Sequence, residues 1–256
     1  MKVHFIGTCS GTRPKEGMHH CALTFEIDGR FYWFDAGENC SYFAHTNGID
    51  LLNVKAIFIS HMHTDHTGGL ANLLWTIRKL VVSKKVPYPF GVLPVYVPDL
   101  KLFRYIRKVA FAYRKEKTPA LKAKGHKIRE GLIYKDDKVK ISALHSRHLG
   151  ESGIFGWHAF GFLIEAEGKR IVYSGDQKTP EDLNKFIDGG CDYFIMETGH
   201  HWCKDVCEYA KNHNVPVLRF NHHGRDVIRN REECEEKIKE YDFDIKICYD
   251  GMTEEI

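Results

Sequence analysis

The sequence predicts an α/β sandwich, two sheets packed face to face between layers of helices. Three observations carry that prediction. Short apolar runs of strand length recur in both halves of the chain. Several segments between them space their apolar residues as helices do. Asp28-Gly29 and Gly168 sit where neighbouring runs would join as hairpins.

In the first half, KVHFIG (2–7) reads as a strand and CALTFEIDGRFYWFDAG (21–37) as a hairpin. VKAIFIS (54–60) is near-continuously apolar, as a buried strand would be. A helix is expected over 70–80, a strand over 93–98 and a helix over 99–113. In the second half, strands are expected over 139–148, 159–176 (a hairpin), 192–198, 216–221 and 244–250. EDLNKFID, CKDVCEYAKNH and the acidic stretch 226–240 are the intervening helices. One domain over 1–256 accommodates all of this.

Composition narrows the class. No apolar run reaches the length of a membrane span, and MKVHFIGTCS lacks the pattern of a signal peptide. The eight cysteines form no CxxC pair, which points to free thiols in a cytoplasmic protein. Cys203 and Cys207, one helical turn apart, are read as packing rather than a second metal site. Charge is uneven. Residues 78–129 hold fifteen basic and two acidic residues, although the whole chain nets only +3. That segment is either a solvated helical face or an anion-collecting surface for nucleic acid or a phosphorylated substrate.

The strongest chemical signal is SHMHTDHTGG at 60–69. It follows a buried strand, where unpaired polar groups are costly. His61 and His63 alternate on extended backbone and so point the same way. Asp65 and His66 follow at the bend, and Gly68-Gly69 permit a tight turn into the next helix. Imidazole and carboxylate together suit zinc, manganese or iron. His148, Asp176 and His222 each stand after a later apolar strand, at the same end as this turn.

This order resembles the metallo-β-lactamase superfamily over nearly the whole chain, through HMHTDH, the His148 strand end, SGD at 174–176 and NHHG at 221–224. FDAG at 34–37 is similar to the motif whose Asp35 supports the metal loop, and DGM at 250–252 to the C-terminal strand end of several members. The resemblance implies a four-layer αββα metallo-β-lactamase sandwich with its site along one edge of the sheets. It implies two divalent metal ions, with zinc expected and manganese or iron admitted. His61, His63 and His148 would hold one, and Asp65, His66 and His222 the other. Asp176 would bridge them. His223 is the alternative to His222, and His145 the rival to His148.

A metal-bridging hydroxide would then be the nucleophile. Two cations, Asp65, Asp176 and that hydroxide leave one formal positive charge, which favours an anionic substrate or transition state. His63 stands where the family's di-iron oxidoreductases typically carry Glu, so hydrolysis is expected. FIGTCSGTRPKEGMHHC resembles the opening of ribonuclease Z and its phosphodiesterase relatives. Two features depart from ribonuclease Z itself: His148 and Asp176 stand too close for its tRNA-clamping arm, and Met196 replaces its catalytic histidine.

His200 and His201 are the catalytic candidates for the missing general acid, beside Asp65. His19 and His20 are candidate substrate contacts, and Trp157 and His158 a candidate pocket wall. The leading expectation is a phosphodiesterase on an anionic small-molecule or nucleic-acid substrate, with a second copy of the chain admitted as a partner. A carboxyl-ester, lactone or thioester hydrolase and a non-catalytic nucleic-acid-binding protein are the alternatives.

Overall fold

The computed structural model describes residues 1–11, 15–113, 120–152 and 156–256. Three stretches lie outside the described residues: 12–14 of the opening loop, 114–119 of the basic segment and 153–155, shortly before Trp157.

The first half runs β1 (Lys2–Gly7), β2 (Ala22–Ile27), β3 (Arg30–Phe34), α1 (Cys40–Thr46), β4 (Val54–Phe58), α2 (Thr64–Thr67), α3 (Leu70–Lys84), β5 (Val92–Val97), α4 (Leu100–Ala110) and β6 (Lys122–Lys127). The second runs β7 (Gly131–Lys135), β8 (Val139–Ser146), β9 (Ala159–Ala166), β10 (Lys169–Tyr173), α5 (Asn184–Ile187), β11 (Tyr193–Thr198), α6 (Cys203–Asn212), β12 (Val217–His223), α7 (Arg225–Ile238), β13 (Asp244–Ile247) and β14 (Thr253–Glu255). They form two seven-stranded sheets, ordered β14-β1-β2-β3-β4-β5-β6 and β13-β12-β11-β10-β9-β8-β7.

Three apolar layers bind four structural ones, the expected αββα sandwich. Leu73, Leu74 and Ile77 of α3 and Phe103 of α4 bury against Trp33, Ile57 and Val95. Between the sheets, Phe5, Phe25, Phe34 and Phe58 meet Phe162, Ile164, Tyr173 and Ile195. Val206, Cys207 and Val227 cover Phe194 and Leu218 on the far side. Each fully buried large apolar side chain here contributes about 1.5–3 kcal/mol relative to exposure.

The hairpins turn where expected. Asp28 (φ 51°) and Gly29 (φ 69°) are both left-handed, as a two-residue type I′ turn requires. Asp99 caps α4 by accepting from the amides of Lys101 (2.6 Å) and Leu102 (3.0 Å). Five elements were not expected: α1, α2, β6, β7 and β14. The basic segment is therefore not a helical face alone, because β6 (KAKGHK) pairs parallel to β5 at the outer edge of its sheet. Its lysines carry little strand propensity, but charge on an edge strand discourages pairing with another chain.

Direction positions the site. Strands β3, β4 and β5 run parallel, as do β10, β11 and β12. β8 runs antiparallel to β9, and β9 to β10, so β8 and β10 share a direction. The C-terminal ends of these strands deliver their loops to one edge of the sandwich.

Elsewhere the two sheets are joined by Glu254 of β14. It accepts from Arg219 Nε (2.5 Å) and from the hydroxyl of Tyr193 (2.5 Å), both in the opposite sheet. Burial pushes the Glu254 carboxyl up, but Arg219 and Lys246 outweigh it and hold it down at about 2. A depressed carboxyl stabilises the fold above its unfolded value of about 4.5 and loses that contribution as pH falls. Glu254→Gln is therefore expected to lower urea stability fully at pH 6, with the gap from wild type closing between pH 4.5 and about 2. A gap independent of pH over that range would contradict the assignment.

Candidate metal centre

The loop after β4 is held from below by Asp35, which follows β3. Its Oδ1 accepts from the Ser60 amide (2.7 Å), and its Oδ2 from Ser60 Oγ (2.8 Å), the Tyr173 hydroxyl (2.6 Å) and His66 Nδ1 (2.8 Å). Asp35 is fully buried. Because Nδ1 of His66 carries the donated proton, its Nε2 is left as a free lone pair facing the cluster.

Gly69 serves close approach rather than an unusual backbone angle. Its φ of −89° is open to any residue, but a Cβ there would lie 2.1 Å from the Gly37 carbonyl oxygen. A side chain on Gly11 would similarly meet Asp65 Oδ2 at 2.7 Å. Gly68-Gly69 form the expected turn into α3, but with φ values open to any residue, and space is what Gly69 supplies.

The remaining side chains arrive from the other sheet. His148 sits not at a strand end but in a short 3₁₀ turn over Arg147–Leu149 after β8. Ser146 Oγ accepts from the His148 amide (3.1 Å) and donates to the Asp176 backbone carbonyl (2.7 Å), tying the His148 and Asp176 loops together. Strand β12 runs two residues further than expected, through His223. Its pairing with β11 slips between Glu197 and Thr198, which leaves His222 as the extra residue, at φ 48°. Such a bulge re-aims a side chain, and left-handed backbone at a non-glycine residue costs about 1–3 kcal/mol. His222 consequently faces the cluster. His223 faces away and is satisfied there, with Nε2 2.8 Å from the Cys248 carbonyl and Nδ1 3.1 Å from Thr198 Oγ1.

The geometry groups the donors as two triads. His61, His63 and His148 each bring a nitrogen within 4.8 Å of the others, and so do donor atoms of Asp65, His66 and His222. Asp176 lies between the triads, 2% exposed. Its Oδ1 is 3.3 Å from His66 Nε2 and 3.4 Å from His222 Nδ1. Its Oδ2 is 3.7 Å from His61 Nε2 and 3.5 Å from His148 Nε2. One carboxylate oxygen thus addresses each triad.

Four buried atoms at this point have no hydrogen-bond partner among the described residues: His66 Nε2, His148 Nε2, Asp176 Oδ1 and His222 Nδ1. Buried polar atoms are rarely left so, and divalent cations satisfy all four. Electrostatics point the same way. Burial pulls the His222 ring down, but Asp176, Asp65 and Glu197 outweigh it and raise it to about 9. Burial also opposes charge on His66, and Asp176 with Asp35 overcomes it. The side of the pocket around His66 and His222 thus favours positive charge, whereas burial holds His61 and His148 below the ordinary imidazole value.

Glu197 was not anticipated. It is 1% exposed at the end of β11 and accepts from the His200 amide (2.9 Å) and His200 Nδ1 (3.0 Å). It follows Met196, which stands where the ribonuclease Z motif carries its histidine. His200 is half-exposed, its ring centroid 4.7 Å from that of His148. His201 points Nε2 at the Gln177 carbonyl (3.2 Å). His19 is held by Asp250, whose Oδ2 accepts from both its amide (2.6 Å) and its Nδ1 (2.8 Å). The Nε2 of His20 is buried without a hydrogen-bond partner among the described residues, and a Cβ on Gly37 would meet the His20 Cβ at 2.6 Å. His145 stacks on Trp157 at 3.7 Å and lies outside both triads. Trp157 packs against the inter-sheet core.

A family model described as Anti-Pycsar protein Apyc1 matches residues 1–202. The chain belongs to this Apyc1 family. Among curated relatives, ribonuclease Z of Methanocaldococcus jannaschii is 26% identical over 295 residues, covering 96% of this chain and 91% of its own length. Ribonuclease Z of Brevibacillus brevis is 30% identical over 279 residues, covering 87% and 85%. The crystal structure of the short form of human tRNase Z superposes with a TM-score of 0.75 at 20% identity, over 100% of this chain and 99% of that one. The Apyc1-family chain is a metal-dependent hydrolase in the ribonuclease Z-like phosphodiesterase branch of the metallo-β-lactamase superfamily. Its histidine and carboxylate cluster is suited to divalent metal. Among the described residues, no helix is long and apolar enough to cross a membrane.

Proposed function

We propose that the chain hydrolyses a phosphodiester in a nucleotide or nucleic acid, using two divalent cations, with zinc as the natural pair. The observation that carries this reading is Asp176, one oxygen of which faces each donor triad. Bound there, the cations supply Lewis acidity and lower the pKa of water that reaches them. Imidazole-rich donor sets with carboxylates suit zinc.

In this reading His61, His63 and His148 hold one cation, Asp65, His66 and His222 the other, and Asp176 both. Two divalent cations carry four positive charges against the two carboxylates, so the site attracts an anionic phosphodiester and stabilises charge developing on its oxygens. Asp35 fixes the tautomer of His66. His200 is the group placed to donate a proton to a leaving oxygen: its ring borders the cluster, is partly open to solvent, and is oriented by Glu197. His201, turned toward the Gln177 carbonyl, serves in positioning. Eight free cysteines, seven of them buried, fit a reducing compartment such as the cytosol.

Metal-loaded protein is expected to cleave bis(p-nitrophenyl) phosphate, and His63→Ala to lower that turnover by at least about 100-fold by removing a donor nitrogen. Absence of turnover with zinc, manganese and iron(II) alike, in protein shown to be folded and loaded, would overturn the reading.

A further inference from the structure

Beside the metal cluster lies a cleft of about 270 Å³ lined by Ser10, His200, Trp202, Gly224, Arg225 and Asp226, among others. His200 belongs to both places: it lines the cleft, and its ring lies roughly parallel to that of His222, 6.0 Å away. Whatever occupies the cleft is therefore joined to whatever sits at the cluster.

The lining has a specific chemistry. Trp202 is 59% exposed, where a large aromatic ring gains little by facing water. It stands immediately before α6 and makes no side-chain cap there. Arg225 opens α7 and forms no ion pair among the described residues, so its guanidinium donors are free. Asp226 is committed to the neighbouring helix through the Cys203 amide (3.3 Å). Its negative charge offsets the positive charge of Arg225, so the charge left in the cleft is that of a protonated His200, at the end beside the cluster. The volume falls just below the roughly 300–1,000 Å³ of drug-sized ligand sites, enough for one base with its sugar and not for several.

We propose that this cleft is a nucleobase subsite, in which Trp202 stacks on the base of the substrate and Arg225 donates to acceptor atoms on its edge. The proposal rests on the phosphodiesterase reading and adds the part of the substrate that is recognised. Stacking suits a flat neutral ring and tolerates its identity, so Trp202 supplies affinity, while Arg225 favours bases that present carbonyl oxygens.

The test compares two esters with the same leaving group, thymidine 5′-(p-nitrophenyl phosphate) and methyl p-nitrophenyl phosphate. Wild type is expected to prefer the base-bearing ester in kcat/KM. In Trp202→Ala that preference falls about tenfold or more, chiefly through KM, and Trp202→Phe restores most of it. Arg225→Ala lowers it several-fold. Titration of metal-free protein with thymidine 5′-monophosphate should quench tryptophan fluorescence in wild type and not in Trp202→Phe. A preference unchanged in Trp202→Ala, or one lost equally in Trp202→Phe, overturns the subsite while leaving the phosphodiesterase reading intact. Failure of wild type to cleave either ester, with the fluorescence quench still present, would instead strike at the reading beneath it.

Discussion

Asp176→Ala is expected to lower phosphodiester turnover by about 10³-fold or more and to strip metal from the purified protein. The side chain is buried and, among the described residues, is the one carboxylate that addresses both donor triads, so its loss leaves histidines of each without a shared anion. The fold should survive the change. The hydrogen bond that ties this loop to Ser146 uses the Asp176 backbone carbonyl, which the substitution keeps. Circular dichroism and thermal unfolding beside elemental analysis separate the two effects. Wild-type metal content with wild-type turnover in Asp176→Ala would remove the bridging role.

Asp35→Ala is expected to do the reverse, damaging stability as much as chemistry. Four donors converge on this fully buried carboxylate: the Ser60 amide and hydroxyl, the Tyr173 hydroxyl and His66 Nδ1. Leaving them unpaired should cost about 3–5 kcal/mol in urea unfolding. Metal affinity should fall about 10–100-fold, because the tautomer of His66 is no longer fixed. Asp35→Asn keeps the shape and one acceptor but turns an amide N–H toward groups that donate. It is expected to lose metal affinity with a smaller loss of stability. Wild-type affinity in Asp35→Asn would show that His66 needs no such support.

Much of this centre was legible in the sequence, and the reasons are physical. A buried strand followed at once by His61, His63, Asp65 and His66 has few uses other than metal, and apolar strands ending near His148, Asp176 and His222 supplied matching donors. Strand direction did the rest, since parallel neighbours deliver their C-terminal loops to one edge. The choice between His222 and His223 was not legible. It depends on a one-residue slip of β12 against β11, and neighbouring histidines offer no periodicity from which to read it. Glu197 was missed because a single carboxylate after an apolar strand carries no motif of its own. Strands β6 and β14 were missed because lysine-rich and very short edge strands lack the apolar alternation that marks a strand. The cleft at Trp202 and Arg225 was out of reach for a different reason: it joins the starts of two helices that are separated by β12.

The most direct test of the central claim is anomalous diffraction from a zinc-loaded crystal. The account predicts two peaks flanking the Asp176 carboxylate, one within about 2.0–2.2 Å of nitrogens of His61, His63 and His148, the other at that distance from donor atoms of Asp65, His66 and His222. Peaks located elsewhere, or no peak at this edge of the sandwich, would contradict it.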